Sequence, residues 1–256
     1  MKRILFLSLF ISIVITSNAQ TNTKSILFNG TTDSISVPHS ASLNPTAALT
    51  IEAWIKPNSF GTNLWDNYIV GKDDWSSGSS GYCLRCGAGG KLSFNLSSGS
   101  GAWKEVTSTT LIATNTWTHV AGTFNGTTLT IYINGIQSGT LSYSGAINPS
   151  TYNLNIGSVP YKSSGGRLFN GNIDQVEVWN VALTSAQVNQ YMNCPPTGTE
   201  TALVGFWNFE EGTGATVTDL TSNHNNGTIY TATWSTDVQP FHFCRRQTVR
   251  RLHPPA

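Results

Sequence analysis

Residues 117–135 read WTHVAGTFNGTTLTIYING, and this stretch decides the fold class. Val120, Gly122 and Phe124 fall on one face of an extended run, because successive side chains of a strand point to opposite faces. Asn125-Gly126 follows, a dipeptide that accepts the positive φ angles of a tight hairpin turn. Leu129, Ile131 and Ile133 alternate along the next run, and Asn134-Gly135 supplies a second turn. No helical period competes with the period of two, so the segment describes a meander of antiparallel strands.

The same texture extends outward from Lys24 to Asn180: four to eight residues rich in Ile, Val, Thr, Phe and Trp, then a break of Gly, Ser or Asn. In TIEAWIKP (50–57), Ile51, Ala53 and Ile55 share one face, Glu52, Trp54 and Lys56 share the other, and Pro57 ends the strand. Short strands repeated over so long a stretch predict two stacked sheets. One exception follows the last strand. Thr184 and Gln187 have capping-box spacing, and Val188, Tyr191 and Met192 recur at helical intervals before Pro195-Pro196. A short helix is expected there, with its apolar side on the sandwich.

Composition narrows the class. Only 11% of the 256 residues are charged, against roughly 25% in an average soluble domain, which excludes a disordered chain or a coiled coil. A net charge of +1 offers no electrostatic footprint for nucleic acid. Lys2 and Arg3 precede the apolar run Ile4 to Ile15, and Ser17 to Gln20 read as a small-residue cleavage site. Residues 1–20 are therefore an expected export signal, with a secreted or cell-surface product beginning near Thr21 and no membrane insertion after cleavage. Beyond them, residues 21–199 carry eight basic and eight acidic side chains, 200–239 carry five acids and no base, and 240–256 carry four Arg and no acid. Three pieces are expected: a main domain (21–199), an acidic partial cassette (200–239) docked through Phe206, Trp207, Phe209 and Trp234, and a disordered basic tail (240–256).

Four segments carry a family resemblance: ILFNGTTDSISVP (26–38), TIEAWIKP (50–57), WTHVAGTFNGTTLTIYING (117–135) and FNGNIDQVEVWNVAL (169–183). In this order they resemble the laminin-G-like, concanavalin A-like jelly rolls, an all-β, two-sheet antiparallel sandwich. Residues 203–234 resemble a cassette found beside such domains in exported surface proteins. The resemblance implies a disulfide between Cys194 and Cys244. It also implies a structural calcium ion between Asp174 and the first hairpin, whose matching residues are Asn29, Gly30 and Asp33. Relatives usually show Asp where this chain has Asn29, which removes one charged ligand.

Cys83 and Cys86 have zinc-knuckle spacing but no second ligand pair at metal-site distance, and in an extended strand they lie ~10 Å apart, too far for a bridge. They are expected to be buried thiols. Some relatives are glucanases or lyases. Retaining glycosidases need two carboxyl groups about 5 to 5.5 Å apart, and the E-x-D-x-x-E strand of those glucanases is absent. Asp174 and Glu177, three apart, are expected on opposite strand faces; Asp73-Asp74 and Glu210-Glu211 meet the same objection. His39, His119, His224, His242 and His253 stand near no nucleophile motif, and no catalytic residue is assigned. Loop aromatics remain. Trp65, Tyr68, Trp75, Tyr82, Trp103 and Tyr161 are the candidate ligand contacts, since flat rings stack on pyranose faces. The expectation is a monomeric, non-catalytic module for a glycan or glycoprotein partner. The alternatives are an adhesion or spacer domain, told apart by whether Trp65, Trp75 and Trp103 converge, and a divergent glycan hydrolase or lyase.

Overall fold

The computed structural model describes residues 22–73, 79–159, 167–240 and 244. Two antiparallel sheets of eight strands stack face to face. Numbered in chain order, the first sheet runs β10 (Ile136–Ser142), β9 (Thr128–Ile133), β8 (Thr118–Phe124), β3 (Leu49–Pro57), β12 (Asn170–Trp179), β1 (Ser25–Asn29), β16 (Thr233–Ser235), and β13 (Leu203–Trp207) also pairs with β12. The second runs β14 (Thr216–Val217), β15 (Gly227–Tyr230), β2 (Ser34–Val37), β11 (Leu154–Ile156), β4 (Tyr68–Gly71), β5 (Tyr82–Gly87), β6 (Lys91–Ser97), β7 (Trp103–Leu111).

Period-two alternation fills the space between the sheets. Ile51, Ala53 and Ile55 of β3 and Val120 and Phe124 of β8 meet Leu84 and Cys86 of β5 and Leu92, Phe94 and Leu96 of β6. Phe94 stands directly over the backbone of Gly122, where a Cβ would lie 2.5 Å from the ring, so only glycine lets the sheets close there.

A second, smaller core lies on the outer face of the first sheet. The helix α1 (Ser185–Asn193) is opened by the capping box of Thr184 and Gln187 and buries Val188 against Ala121, Tyr132, Trp179 and Phe206. The cassette is not a separate body. It adds β13 to β12, β15 to β2 and β16 to β1, extending both sheets. Phe206, Trp207 and Phe209 are buried, and Trp234 packs partly buried against the main core. From β16 the chain crosses the end of the first sheet, where Asp237 pairs with Lys56 (2.6 Å) and accepts from Trp117 Nε1 (2.9 Å). A disulfide then joins Cys244 to Cys194, just past α1, with Cα atoms 4.9 Å apart. Residues 1–20, and the basic tail apart from Pro240 and Cys244, lie outside the described residues.

One irregularity matters for the chemistry. The register of β12 on β3 shifts between Asp174 and Glu177, with Gln175 at φ +48°. This bulge inserts an extra residue into the alternation. Asp174 therefore faces the same way as Glu177, opposite Trp54 and Glu52 respectively, and the expectation of opposite faces is overturned.

Candidate functional site: a polar ladder on the second sheet

Along β5, Tyr82, Leu84 and Cys86 point into the core, so Cys83 and Arg85 point outward; along β6, Ser93, Asn95 and Ser97 do likewise. Their neighbours across the sheet are Tyr68 beside Arg85, and Glu105 and Trp103 of β7 beside Asn95 and Ser97. These outward groups form one network. Arg85 Nη2 donates to Asn95 Oδ1 (3.1 Å) and Glu105 Oε1 (3.2 Å), Ser93 Oγ donates to the same Glu105 oxygen (2.6 Å), and Asn95 Nδ2 donates to Ser93 Oγ (2.6 Å). The guanidinium lies 5.8 Å from the centre of the Tyr68 ring, whose hydroxyl donates to Asp73 Oδ2 (2.9 Å).

Arg85 is buried while the Glu105 side chain is 36% exposed, so the network runs from the interior to solvent. A guanidinium cannot shed its proton, and burying it requires a carboxylate and further acceptors. Glu105 thus arrives at the surface held by two donors on one oxygen, with half-buried Trp103 two residues away on the same strand face. A fixed acceptor beside a flat apolar ring suits hydroxyl-rich ligands with apolar faces.

The loop aromatics divide. Tyr68 and Tyr82 are strand residues rather than loop residues, both buried, with their hydroxyls bonded to Asp73 and to the Leu43 carbonyl. Trp65 is 48% exposed in a loop that packs on the Gly87 end of β5, and Trp103 lies at the opposite end, beside Ser97. Five residues of strand, ~17 Å, separate the two ends, so Trp65 and Trp103 do not converge. Trp75 and Tyr161 lie outside the described residues.

The hairpin proposed to hold calcium is also separate from Asp174. β1 pairs Asn29 with Asn170, four positions along β12 from Asp174, a span of ~13 Å. The hairpin oxygens serve their own turn: Asn29 Oδ1 accepts from the amides of Thr31 and Thr32, and Asp33 Oδ2 accepts from the Asn29 amide. Asn29, Gly30 and Asp33 therefore do not form a ligand set with Asp174. Cys83 and Cys86 are free, buried on opposite faces of β5, and burial pushes both thiols well up.

A carboxylate pair absent from the sequence reading appears on the first sheet. Glu52 and Glu177 are direct cross-strand neighbours, both buried, and Glu177 Oε2 accepts from Trp179 Nε1 (3.0 Å). Beside them His119 Nε2 lies 3.3 Å from Glu52 Oε2 and its ring meets Trp54 edge-on at 5.4 Å. Burial pushes the Glu52 carboxyl up and holds His119 down at about 3, each shift favouring the uncharged form. Only the pairing of strands 125 residues apart in sequence brings these two glutamates together.

Residues 29–189 match the family profile described as the concanavalin A-like lectin/glucanases superfamily. The chain belongs to this superfamily. No curated protein matches its sequence. Among solved structures, a candidate carbohydrate-binding protein from Bacteroides ovatus is 26% identical with a TM-score of 0.68, over 88% of this chain. The chain spans 63% of that protein's length. Two others share the sandwich fold. A Limulus polyphemus SAP-like pentraxin is 20% identical (TM-score 0.53; 81% of this chain, 94% of that one). Domain 4 of an extracellular arabinanase from Geobacillus stearothermophilus, solved with arabinotriose, is 22% identical (TM-score 0.51; 69% and 80%). No described helix is long and apolar enough to cross a membrane.

Proposed function

We propose that the protein is an exported, monomeric, non-catalytic module that binds a neutral glycan or the glycan of a glycoprotein at the β5–β7 end of the second sheet. Trp65 and Trp103 do not converge, which by itself favours the spacer alternative; the observation that carries the glycan reading instead is the Arg85–Ser93–Asn95–Glu105 network ending at Trp103, a preorganised acceptor and a ring on one rigid sheet. The superfamily and the Bacteroides neighbour support a carbohydrate partner. The glutamate pair Glu52–Glu177 supports no hydrolytic reading, because it is buried away from any polysaccharide. Export is supported by the residues of segment 1–20 and is compatible with the Cys194–Cys244 bridge.

The test is calorimetric titration of the purified protein with arabino- and gluco-oligosaccharides. Trp103→Ala should weaken binding at least about tenfold, as loss of an anchoring aromatic does. Glu105→Gln should weaken it too, and Trp65→Ala should leave it unchanged. If no oligosaccharide binds, or Trp103→Ala binds as tightly as the parent, the spacer reading replaces this one.

A further inference from the structure

Lys72 directly follows β4 and is 0% exposed, yet no acid pairs with it among the described residues. Its ammonium is held instead by three acceptors: His39 Nδ1 (2.9 Å), the Ser150 carbonyl (3.1 Å) and the Tyr152 carbonyl. An ammonium has three donors and no acceptor, so this set satisfies it in full. The same contact fixes the state of the histidine. Nδ1 must accept, which leaves the ring neutral with its proton on Nε2.

His39 follows β2, while Ser150 and Tyr152 lie in the connection between β10 and β11. That connection is stitched to the candidate site. The Ala146 carbonyl accepts from the Gly99 amide (3.2 Å), Ile147 forms a bridge with Ser98, and the Asn148 amide donates to the Ser97 carbonyl (2.9 Å). Ser97 is the cross-strand neighbour of Trp103. Lys72 thus anchors one end of loop 146–152, whose other end braces the Trp103 end of β6 and β7.

His39 is exposed, so its ring meets solvent protons directly. Once protonated it would turn an N–H towards an ammonium 2.9 Å away, a donor against a donor and a charge against a like charge. Burial already pulls Lys72 down to about 8, so a second positive charge beside it is tolerated still less. The other ionisable groups on these elements face elsewhere or enter through the backbone. Asp73 accepts from the Tyr68 hydroxyl, Tyr82 gives its hydroxyl to the Leu43 carbonyl, and Tyr152 contributes its carbonyl. Asn44, which also braces Ser150, carries no charge.

We propose that His39 and Lys72 form an acid-released latch: neutral His39 closes loop 146–152 onto Lys72, and a proton on His39 opens it and loosens the Trp103 end of the second sheet. Release of a bound glycan in acid is the consequence, and that part alone rests on the glycan reading. The closed latch excludes a proton that the open histidine binds, so closure is complete above the imidazole range and is lost as pH falls through it. An ordinary imidazole titrates at about 6.5, and below that value the ratio of open to closed latch grows about tenfold per pH unit.

The test is amide hydrogen exchange of the purified protein, read by mass spectrometry at about pH 7.5 and about pH 5 as protection factors, which remove the intrinsic pH dependence of exchange. Loop 146–152 should lose protection at least about tenfold in acid, and more than β6 loses. His39→Asn places an acceptor that does not titrate at the position of Nδ1, and should hold the loop at both pH values. Lys72→Met should leave the loop loose at both. The comparison of parent with His39→Asn does not use Lys72→Met, so poor folding of the latter leaves the test intact. Equal protection of the loop in the parent at the two pH values, a loss no greater than that of β6, or the same acid loss in His39→Asn would overturn the latch. No glycan enters the assay, so its outcome is separate from that of the glycan reading.

Discussion

Reducing the Cys194–Cys244 bridge should cost the protein up to about 4 kcal/mol. The cysteines are 50 residues apart, and cross-linking the unfolded chain removes entropy of about 2.1 + 1.5R ln n cal/mol/K, or close to 14 cal/mol/K for n near 50. At 25 °C that gives about 4 kcal/mol. The loop it closes carries β13, β14, β15 and β16, so the bridge holds in register strands that extend both sheets. The assay is urea unfolding followed by tryptophan fluorescence, for the oxidised protein, the reduced protein and the Cys194→Ser/Cys244→Ser variant. Both thiol forms should lose about 2 to 4 kcal/mol and unfold with a larger m-value, because the open chain exposes more surface. Amide exchange should quicken first in β15 and β16. If both forms stay within about 1 kcal/mol of the oxidised protein, the loop-entropy reasoning fails and the cassette is held by its own packing.

Two further outcomes follow from the interior. Gly122→Ala should destabilise by about 1 to 3 kcal/mol, because the new methyl collides with the Phe94 ring; pairing it with Phe94→Leu should recover part of the loss, and purely additive costs would refute the contact. His119 is neutral when folded, with its pKa lowered to about 3 by burial, whereas the unfolded value is near 6.5. Below pH 6.5 the unfolded state therefore binds more protons, so the stability His119 allows is present above 6.5 and lost as pH falls. The parent protein should lose stability relative to His119→Gln between pH 6.5 and 5, by at most about 1.4 kcal/mol per pH unit. Parallel pH profiles for the two would refute it.

The strands and the helix were legible because each carries its own local signal. Val120, Gly122 and Phe124 alternate, the Asn-Gly turns punctuate, and Thr184 and Gln187 cap. The positions of the chemistry were not, since they depend on register. Asp174 and Glu177 share a face only because Gln175 bulges, and nothing in GNIDQVEV marks that extra residue. Glu52 meets Glu177 through a pairing that alternation leaves open. Tyr68 and Tyr82 read as loop aromatics because Asp66-Asn67 precede the one and a Ser/Gly run the other, yet their hydroxyls find buried acceptors at Asp73 and Leu43. In KLSFNLS the outward positions Ser93, Asn95 and Ser97 are polar yet buried; Asn95 accepts from Arg85, and Ser93 donates to the glutamate that pairs with Arg85, a network that crosses three strands and has no local signal.

The bridge from Cys194 to Cys244 also sets how the molecule carries force. Tension applied between Asn22 and Cys244 enters through β1 at one end and passes across the sulfur atoms to Cys194 at the other. The 49 residues between the cysteines are bypassed. Under load the cassette stays slack, and the pull falls on β1, whose partner β12 lies in the middle of the sheet. Cutting the bridge would move the load onto β16. Its antiparallel pairing places Ser235 opposite Ser25, so the two strands would be peeled apart one rung at a time from their loaded ends.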